Sequence, residues 1–285
     1  MKLVSYALGD ETHLGILDHD EVVDLSSILP DGVDMVDLIG LSLEAGIPSP
    51  GADTLRTPLS EVSLLAPVRP RKNVFAIGKN YIEHVRELPG ADAKAEPPPE
   101  RPIVFSKPPT AIIGPGQAID TRNDPSSTTD YEGELAVVIG APAKKVEPDR
   151  AMEHVFGYTI VNDVTARALQ RGHGQWLMGK GPDTFCPIGP CLVTADEVPD
   201  VTALTVETSV SGELRQQGSL ADLVFDIPTL ISTLSAVMTL EPGDVIATGT
   251  PSGVGAGFDP PRFLVPGDVV TITVDPIGTL SNPVT

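Results

Sequence analysis

The chain has 285 residues, 41% hydrophobic and 20% charged, a balance that excludes a disordered chain and allows one large domain, or a large and a small one. Lys and Arg number 19 against 39 Asp and Glu, a net charge of −20, which argues against a nucleic-acid partner or an anionic membrane surface. No apolar run reaches membrane-spanning length, the N-terminus lacks a long signal core, and two cysteines do not make a disulfide framework. The expectation is a cytoplasmic protein, with a short-range Cys186–Cys191 bridge left open.

Residues 1–68 read as a small N-terminal domain. Strands over Lys2–Leu8 and Thr12–Leu17 flank a Gly9-Asp10 turn, and Glu21–Leu29 continues as a strand and a short helical turn. Asp34–Ala45 has a helical apolar pattern in Met35, Leu38, Ile39, Leu41 and Leu43, ended by Pro48-Ser-Pro-Gly51. Pro67-Val-Arg-Pro70 marks the boundary to a second unit over residues 69–285. It begins with a strand at Asn73–Ile77 and a helical Tyr81–Glu87. Leu88–Pro102, with three consecutive prolines, has the composition of a mobile surface loop.

From Ile103 onward short apolar runs alternate with Gly and Pro. Strands are predicted at Ile103–Phe105, Ala111–Ile113, Leu135–Ile139, Gly157–Val161, Cys191–Thr194, Thr205–Val210, Val245–Thr248 and Val269–Val274. Val164–Gln170 and Ile227–Met238 are the helical candidates. Many short strands and few helices predict a mainly β protein of the α+β class, built on a rolled or sandwiched sheet.

Four sets of residues bear chemistry. Glu132 and Glu134 stand two apart just before the apolar run Leu135–Ile139. Residues i and i+2 of a strand share a face, and two adjacent carboxylates resist ionising together unless a cation lies between them. Asp163 follows the apolar strand Gly157–Val161 and is either a third carboxylate of that set or a helix N-cap. Three carboxylates without His or Cys suit a hard cation, Mg²⁺ or Mn²⁺. His84 and Glu87 share one helix face, as a base with its orienting carboxylate or as two solvated surface groups. Lys180, among Gly, Trp and Met, could neutralise an oxyanion or snorkel to the surface. The glycine-rich Ala247–Gly257 could cradle an anion with its N–H groups and the hydroxyls of Thr248 and Thr250. It is no dinucleotide fingerprint, because Phe258-Asp-Pro-Pro261 prevents the helix that such a site needs.

Together these segments resemble the fumarylacetoacetate hydrolase family, in particular its two-domain bacterial members. The matching pieces are Ile77–Glu87, Tyr131-Glu-Gly-Glu-Leu135, Asn162-Asp-Val-Thr-Ala-Arg167, Gly174–Lys180, Asp183–Pro190 and Thr248–Gly255. The resemblance runs from about residue 70 to the end of the chain and implies a mixed β-sandwich roll, a homodimer and a Mg²⁺ or Mn²⁺ site. It implies Glu132, Glu134 and Asp163 as metal ligands, His84 as the base with Glu87 as its partner, and Lys180 facing a substrate oxyanion. Thr250 and Gln170 would contact a small-molecule 2-oxo acid, and Leu88–Pro102 falls where the family carries a lid.

Two positions depart from the family pattern. Ala168 stands where an Asp is usual, and Gly181-Pro182 follows Lys180 where a Ser and then an apolar residue are usual. The missing hydroxyl bears on how the reacting oxygen is held and so on the substrate. The expected activity is C–C bond hydrolysis of an acylpyruvate or fumarylpyruvate. The alternatives are a 2-hydroxyhepta-2,4-diene-1,7-dioate isomerase or decarboxylase, an oxaloacetate decarboxylase, and a non-catalytic member that binds metal and oxo acid. A ureido-acid lyase would fit the same metal site, but no residue supports it specifically.

Overall fold

A computed structural model describes residues 1–87 and 97–285. The chain opens with β1 (Lys2–Leu8), β2 (Glu11–Asp18), β3 (Glu21–Asp24), helix α1 (Met35–Ala45), β4 (Arg56–Pro58) and β5 (Ser63–Leu64). It continues with β6 (Val74–Gly78), α2 (Ile82–Glu87), β7 (Ile103–Lys107) and β8 (Ile112–Ile113). Next come β9 (Thr129–Asp130), β10 (Gly133–Ile139), β11 (Val155–Asn162), β12 (Thr165–Ala166), α3 (Arg167–Gly172), α4 (Leu177–Lys180) and β13 (Cys186–Thr194). The last part holds β14 (Thr205–Val210), β15 (Glu213–Ser219), α5 (Ile227–Val237), β16 (Val245–Ala247), β17 (Val269–Val274) and β18 (Gly278–Pro283).

These strands form a 12-stranded sheet in the order β4-β3-β2-β1-β13-β11-β10-β16-β6-β7, with β5 beside β1 and β8 beside β13. A four-stranded sheet, β15-β14-β17-β18, packs on one face of it. The protein is thus mainly β with a few helices, a mixed sandwich roll of the α+β class. Pairing is antiparallel except for β16 with β6 and β13 with β8. The strands of residues 1–68 are hydrogen-bonded into the large sheet through Lys2↔Val193 and Leu3↔Leu192.

Strand β10 explains why the core sits where it does. Leu135, Val137 and Ile139 point into an apolar cluster shared with Val206, Val270 and Ile272 of the four-stranded sheet. Ala136 and Val138 point the other way, into a second cluster that includes Met35, Leu38 and Ile39 of α1. A strand buried on both faces needs an unbroken apolar run, which Leu135–Ile139 supplies. Helix α1 is closed at its N-terminus by a capping box, in which the Asp34 carboxylate accepts from Asp37 N–H and Asp37 reciprocates at the Asp34 N–H.

Several predicted elements shift. The helix expected from Val164 begins at Arg167, because Thr165–Ala166 pairs with Thr129–Asp130 first. Strand β13 starts at Cys186 rather than Cys191; Pro187 and Pro190 masked its first half, and its ladder with β11 changes register opposite Pro190. Strands β15 and β18 went unseen because Glu-Leu-Arg-Gln-Gln-Gly-Ser and Gly-Thr-Leu-Ser-Asn-Pro carry no apolar alternation. Cys186 and Cys191 are both free and buried, so the bridge left open above is not formed. The loop expected over Leu88–Pro102 lies outside the described residues for 88–96. Among the described residues no helix is long and apolar enough to cross a membrane.

Gly133 marks the place where the two sheets press together. A Cβ there would lie 2.1 Å from Thr208 Oγ1 on β14 and 3.2 Å from Ile272 on β17. Gly133→Ala is therefore expected to destabilise the fold by about 1–3 kcal/mol, the usual range for an overpacked core, read as a lower urea midpoint. Adding Thr208→Ala removes the clashing oxygen and should restore part of the loss; an unchanged midpoint for the single variant would contradict this packing.

Candidate metal centre

The alternation of β10 sets the site. Gly133 faces the four-stranded sheet, so its neighbours Glu132 and Glu134 project to the opposite side. Glu132 precedes the regular strand, yet its backbone continues the ladder: its N–H donates to Asn162 Oδ1 and its carbonyl accepts the Asp163 N–H at 2.8 Å. Asp163 therefore stands across from Glu132 on the same face. Carboxylate oxygens of Glu132, Glu134 and Asp163 lie within 4.8 Å of one another, and all three residues are buried. Asp163 is not a helix N-cap, since α3 is capped at Ala166.

Three cationic side chains surround this triad. Lys180 Nζ bridges Glu132 Oε2 at 2.7 Å and Asp163 Oδ2 at 2.6 Å. Lys107 Nζ, fully buried at the end of β7, meets Asp163 Oδ1 at 2.6 Å and donates to the Val164 carbonyl at 3.0 Å. Arg167 joins Glu132 Oε1 through Nη1 at 2.6 Å and Asp130 Oδ2 through Nε at 2.8 Å. Four buried carboxylates, counting Asp130, thus face three cations. Glu134 is the unmatched one, held by a single hydrogen bond from the Gly249 N–H at 2.7 Å.

The acidities follow this arrangement. Burial, then the negative charges of Asp163 and Glu132, raise the Glu134 pKa well above its ordinary 4.5. Burial pushes Glu132 in the same direction, but Lys180 and Arg167 more than offset it and hold its carboxyl well below the usual carboxylate range. Burial also opposes the charge on Lys180, and Asp163 and Glu132 reverse that effect, so its pKa is raised. A buried all-oxygen triad that is one positive charge short fits a hard divalent cation. Glu132, Glu134 and Asp163 are the residues that would hold it.

His84 and Glu87 come to the same cavity from α2. His84 is only 5% exposed, which removes the solvated-surface alternative. Its Nδ1 lies 2.7 Å from Glu87 Oε1. An ionised carboxylate can only accept, so Nδ1 carries a proton and, in the neutral ring, Nε2 has the lone pair. Glu87 Oε2 is fixed in turn by the Gly253 N–H at 2.7 Å.

The glycine-rich loop has an internal role. Its N–H groups go to protein carboxylates: Gly249 to Glu134, Gly253 to Glu87, and Gly255 and Ala256 to Asp130. The anion it cradles is thus the protein's own. Thr250 Oγ1 donates to the Gly133 carbonyl at 3.0 Å and accepts from Gln216 Nε2 at 2.7 Å, so its hydroxyl proton is committed within the fold.

A cavity of about 360 Å³ collects these groups. His84, Glu132, Glu134, Gln170, Lys180 and Thr250 all line it, and Glu87 and Asp163 bond the lining residues His84 and Lys180. Sequence reasoning passed over Lys107 and Arg167 as site residues. Lys107 stands before a proline pair, with no acidic residue between Glu100 and Asp120 to mark it. Arg167 has only Asp163 as an acidic neighbour in the sequence, and its partners Asp130 and Glu132 lie more than 30 positions earlier.

A fold of this kind brings a buried carboxylate triad and a carboxylate-held histidine together as a candidate metal centre. Residues 73–285 match the family model for the fumarylacetoacetate (FAA) hydrolase C-terminal domain, and the chain belongs to the fumarylacetoacetate hydrolase family. It is 54% identical to an oxaloacetate tautomerase of Bacillus subtilis over 227 residues, 79% of this chain and 74% of that protein. A fumarylacetoacetate hydrolase structure from Exiguobacterium antarcticum superposes with a TM-score of 0.89 at 40% identity, covering 100% of this chain and 99% of that one. A 2-hydroxyhepta-2,4-diene-1,7-dioate isomerase from Mycobacterium marinum superposes at 0.78 and 35% identity, covering 100% and 98%.

The raised Glu134 pKa has a signed consequence. Between about pH 4.5, its unfolded value, and its higher folded value, the folded protein holds a proton that the unfolded chain has released. Stability therefore falls as pH rises through that window, by up to about 1.4 kcal/mol per pH unit. Glu132 acts oppositely, and its contribution is lost only as pH falls below the ordinary carboxylate range. Without divalent metal, Glu134→Gln should be more stable than wild type at pH 8, with the gap closing towards pH 5, as read by denaturant unfolding. Saturating Mg²⁺ should stabilise the wild type and leave the variant nearly unmoved. A gap independent of pH would contradict the assignment.

Proposed function

We propose that this chain is a divalent-cation-dependent enzyme that interconverts the keto and enol forms of a 2-oxo acid of the oxaloacetate type. The observation that carries this reading is the convergence on one cavity of a carboxylate-held, buried His84 with Glu132 and Glu134, whose carboxylates cluster with that of Asp163. The 54% identity to an oxaloacetate tautomerase favours tautomerisation over the C–C hydrolysis expected from the sequence.

A bound divalent cation would act as a Lewis acid on the 2-oxo group, making the C3 proton more acidic. His84 Nε2 takes the proton leaving C3, and Glu87 stabilises the imidazolium that results. Return of that proton to the enolate oxygen completes the exchange, with no atom gained or lost. The positive charge of Lys180 stabilises the intermediate anion. The Gln170 amide, whose Oε1 accepts from Arg167 Nη1 at 3.3 Å, keeps its N–H donors for a substrate oxygen.

The same His84–Glu87 pair is chemically able to activate water, which keeps hydrolysis of an acylpyruvate as a second reading. Assays of enol–keto conversion of oxaloacetate and of acetylpyruvate and fumarylpyruvate cleavage, each with Mg²⁺ and with a chelator, separate the two. Metal-dependent oxaloacetate tautomerisation with little cleavage is the expected result, and His84→Ala should lower kcat by about 10²–10⁴-fold. Equal turnover with and without chelator would overturn the proposal, while predominant cleavage would favour the second reading.

A further inference from the structure

We propose that Arg171, with Arg167 one turn before it on α3, forms a subsite for a second carboxylate, so that the cavity selects dicarboxylic 2-oxo acids over monocarboxylic ones. This rests on the 2-oxo-acid reading above and concerns the C4 end of the substrate.

Three observations support it. The protein is strongly acidic, with only 19 Lys and Arg in 285 residues. Yet Lys79, Arg167, Arg171 and Lys180 all line this one cavity, against the two carboxylates Glu132 and Glu134. A wall so enriched in cations within an acidic protein suits an anionic ligand of more than one charge.

The second observation is an orphaned donor. Arg167 is 3% exposed, and two of its nitrogens are used by Asp130 and Glu132. Its Nη2 is buried with no hydrogen-bond partner among the described residues. A buried guanidinium N–H without an acceptor is costly, and a ligand carboxylate at the cavity wall would satisfy it.

The third is the placement of Arg171. It follows Arg167 by four residues on the same helix, so the two side chains share a face about one turn of 5.4 Å apart. Arg171 lines the cavity and has no ion pair or hydrogen bond among the described residues. Lys180 and Arg167 Nη1 are tied to the metal-site carboxylates, whereas Arg171 is free to meet an anion. Its planar fork of donors suits a carboxylate. Oxygens at C1 and C2 would be held at the triad end, and a C4 carboxylate would reach α3.

The test compares a ligand that occupies only the triad end with one that spans the cavity. Calorimetric titrations of the Mg²⁺-loaded protein would use oxalate and malate, a stable 2-hydroxy diacid, with wild type, Arg171→Ala and Arg171→Lys. Arg171 is exposed, so the variants should fold. Arg171→Ala is expected to weaken malate binding about tenfold or more, to leave oxalate binding within about twofold, and to recover in part as Arg171→Lys. For oxaloacetate the loss should appear in KM rather than kcat. Malate affinity that is unchanged, or that falls in step with oxalate affinity, would overturn the subsite while leaving the 2-oxo-acid reading intact. Failure of the wild type to bind oxalate at all would overturn that reading, and the subsite with it.

Discussion

A buried imbalance of charge governs this molecule. Asp130, Glu132, Glu134 and Asp163 are sealed beneath the cavity with Lys107, Arg167 and Lys180. Removing charges from water costs several kcal/mol per ion unless each is matched. Asp130 is matched by Arg167 and by the N–H groups of Tyr131, Gly255 and Ala256. Glu132 and Asp163 are each gripped by two cationic side chains. Glu134 has one backbone N–H, and burial, then the negative charges of Asp163 and Glu132, raise its pKa well above the ordinary value. Such a group stays protonated or waits for a cation, and neighbouring carboxylates at coordinating distance make the cation the natural complement.

The fold keeps that imbalance from relaxing away. β10 is packed on both faces, by the four-stranded sheet on one side and by the cluster containing α1 on the other. Gly133 permits the close approach that turns Glu132 and Glu134 towards the site. The glycine-rich loop then ties the site together: one segment donates to Glu134 of the triad, to Glu87 behind His84, and to Asp130 behind Arg167. A displacement of this loop would therefore disturb Glu134, Glu87 and Asp130 at once.

The parts of this arrangement visible in the sequence are those with local periodicity. Leu135–Ile139 announced a fully buried strand, and the i, i+2 spacing of Glu132 and Glu134 put both on one face. His84 and Glu87 were legible as a helix pair, but whether they were buried was not, because burial depends on what packs over α2. Lys107 could not be assigned, since its partner Asp163 lies 56 positions later and meets it only through the order β10-β16-β6-β7. The loop was read as an anion cradle because free N–H groups look alike until the tertiary fold supplies Asp130 and Glu87. Strands β15 and β18, polar along most of their length, were invisible for the same reason: their place depends on pairing with β14 and β17 rather than on their own pattern.

The central claim is that the triad is short of one positive charge at Glu134 and that a divalent cation supplies it. Calorimetric titration with Mn²⁺ in two buffers of different ionisation enthalpy, near neutral pH, counts the protons displaced on binding. The account predicts proton release from the wild type, together with loss of that release and much weaker Mn²⁺ binding in Glu134→Gln. Binding without proton release, or undiminished affinity in the variant, would contradict it.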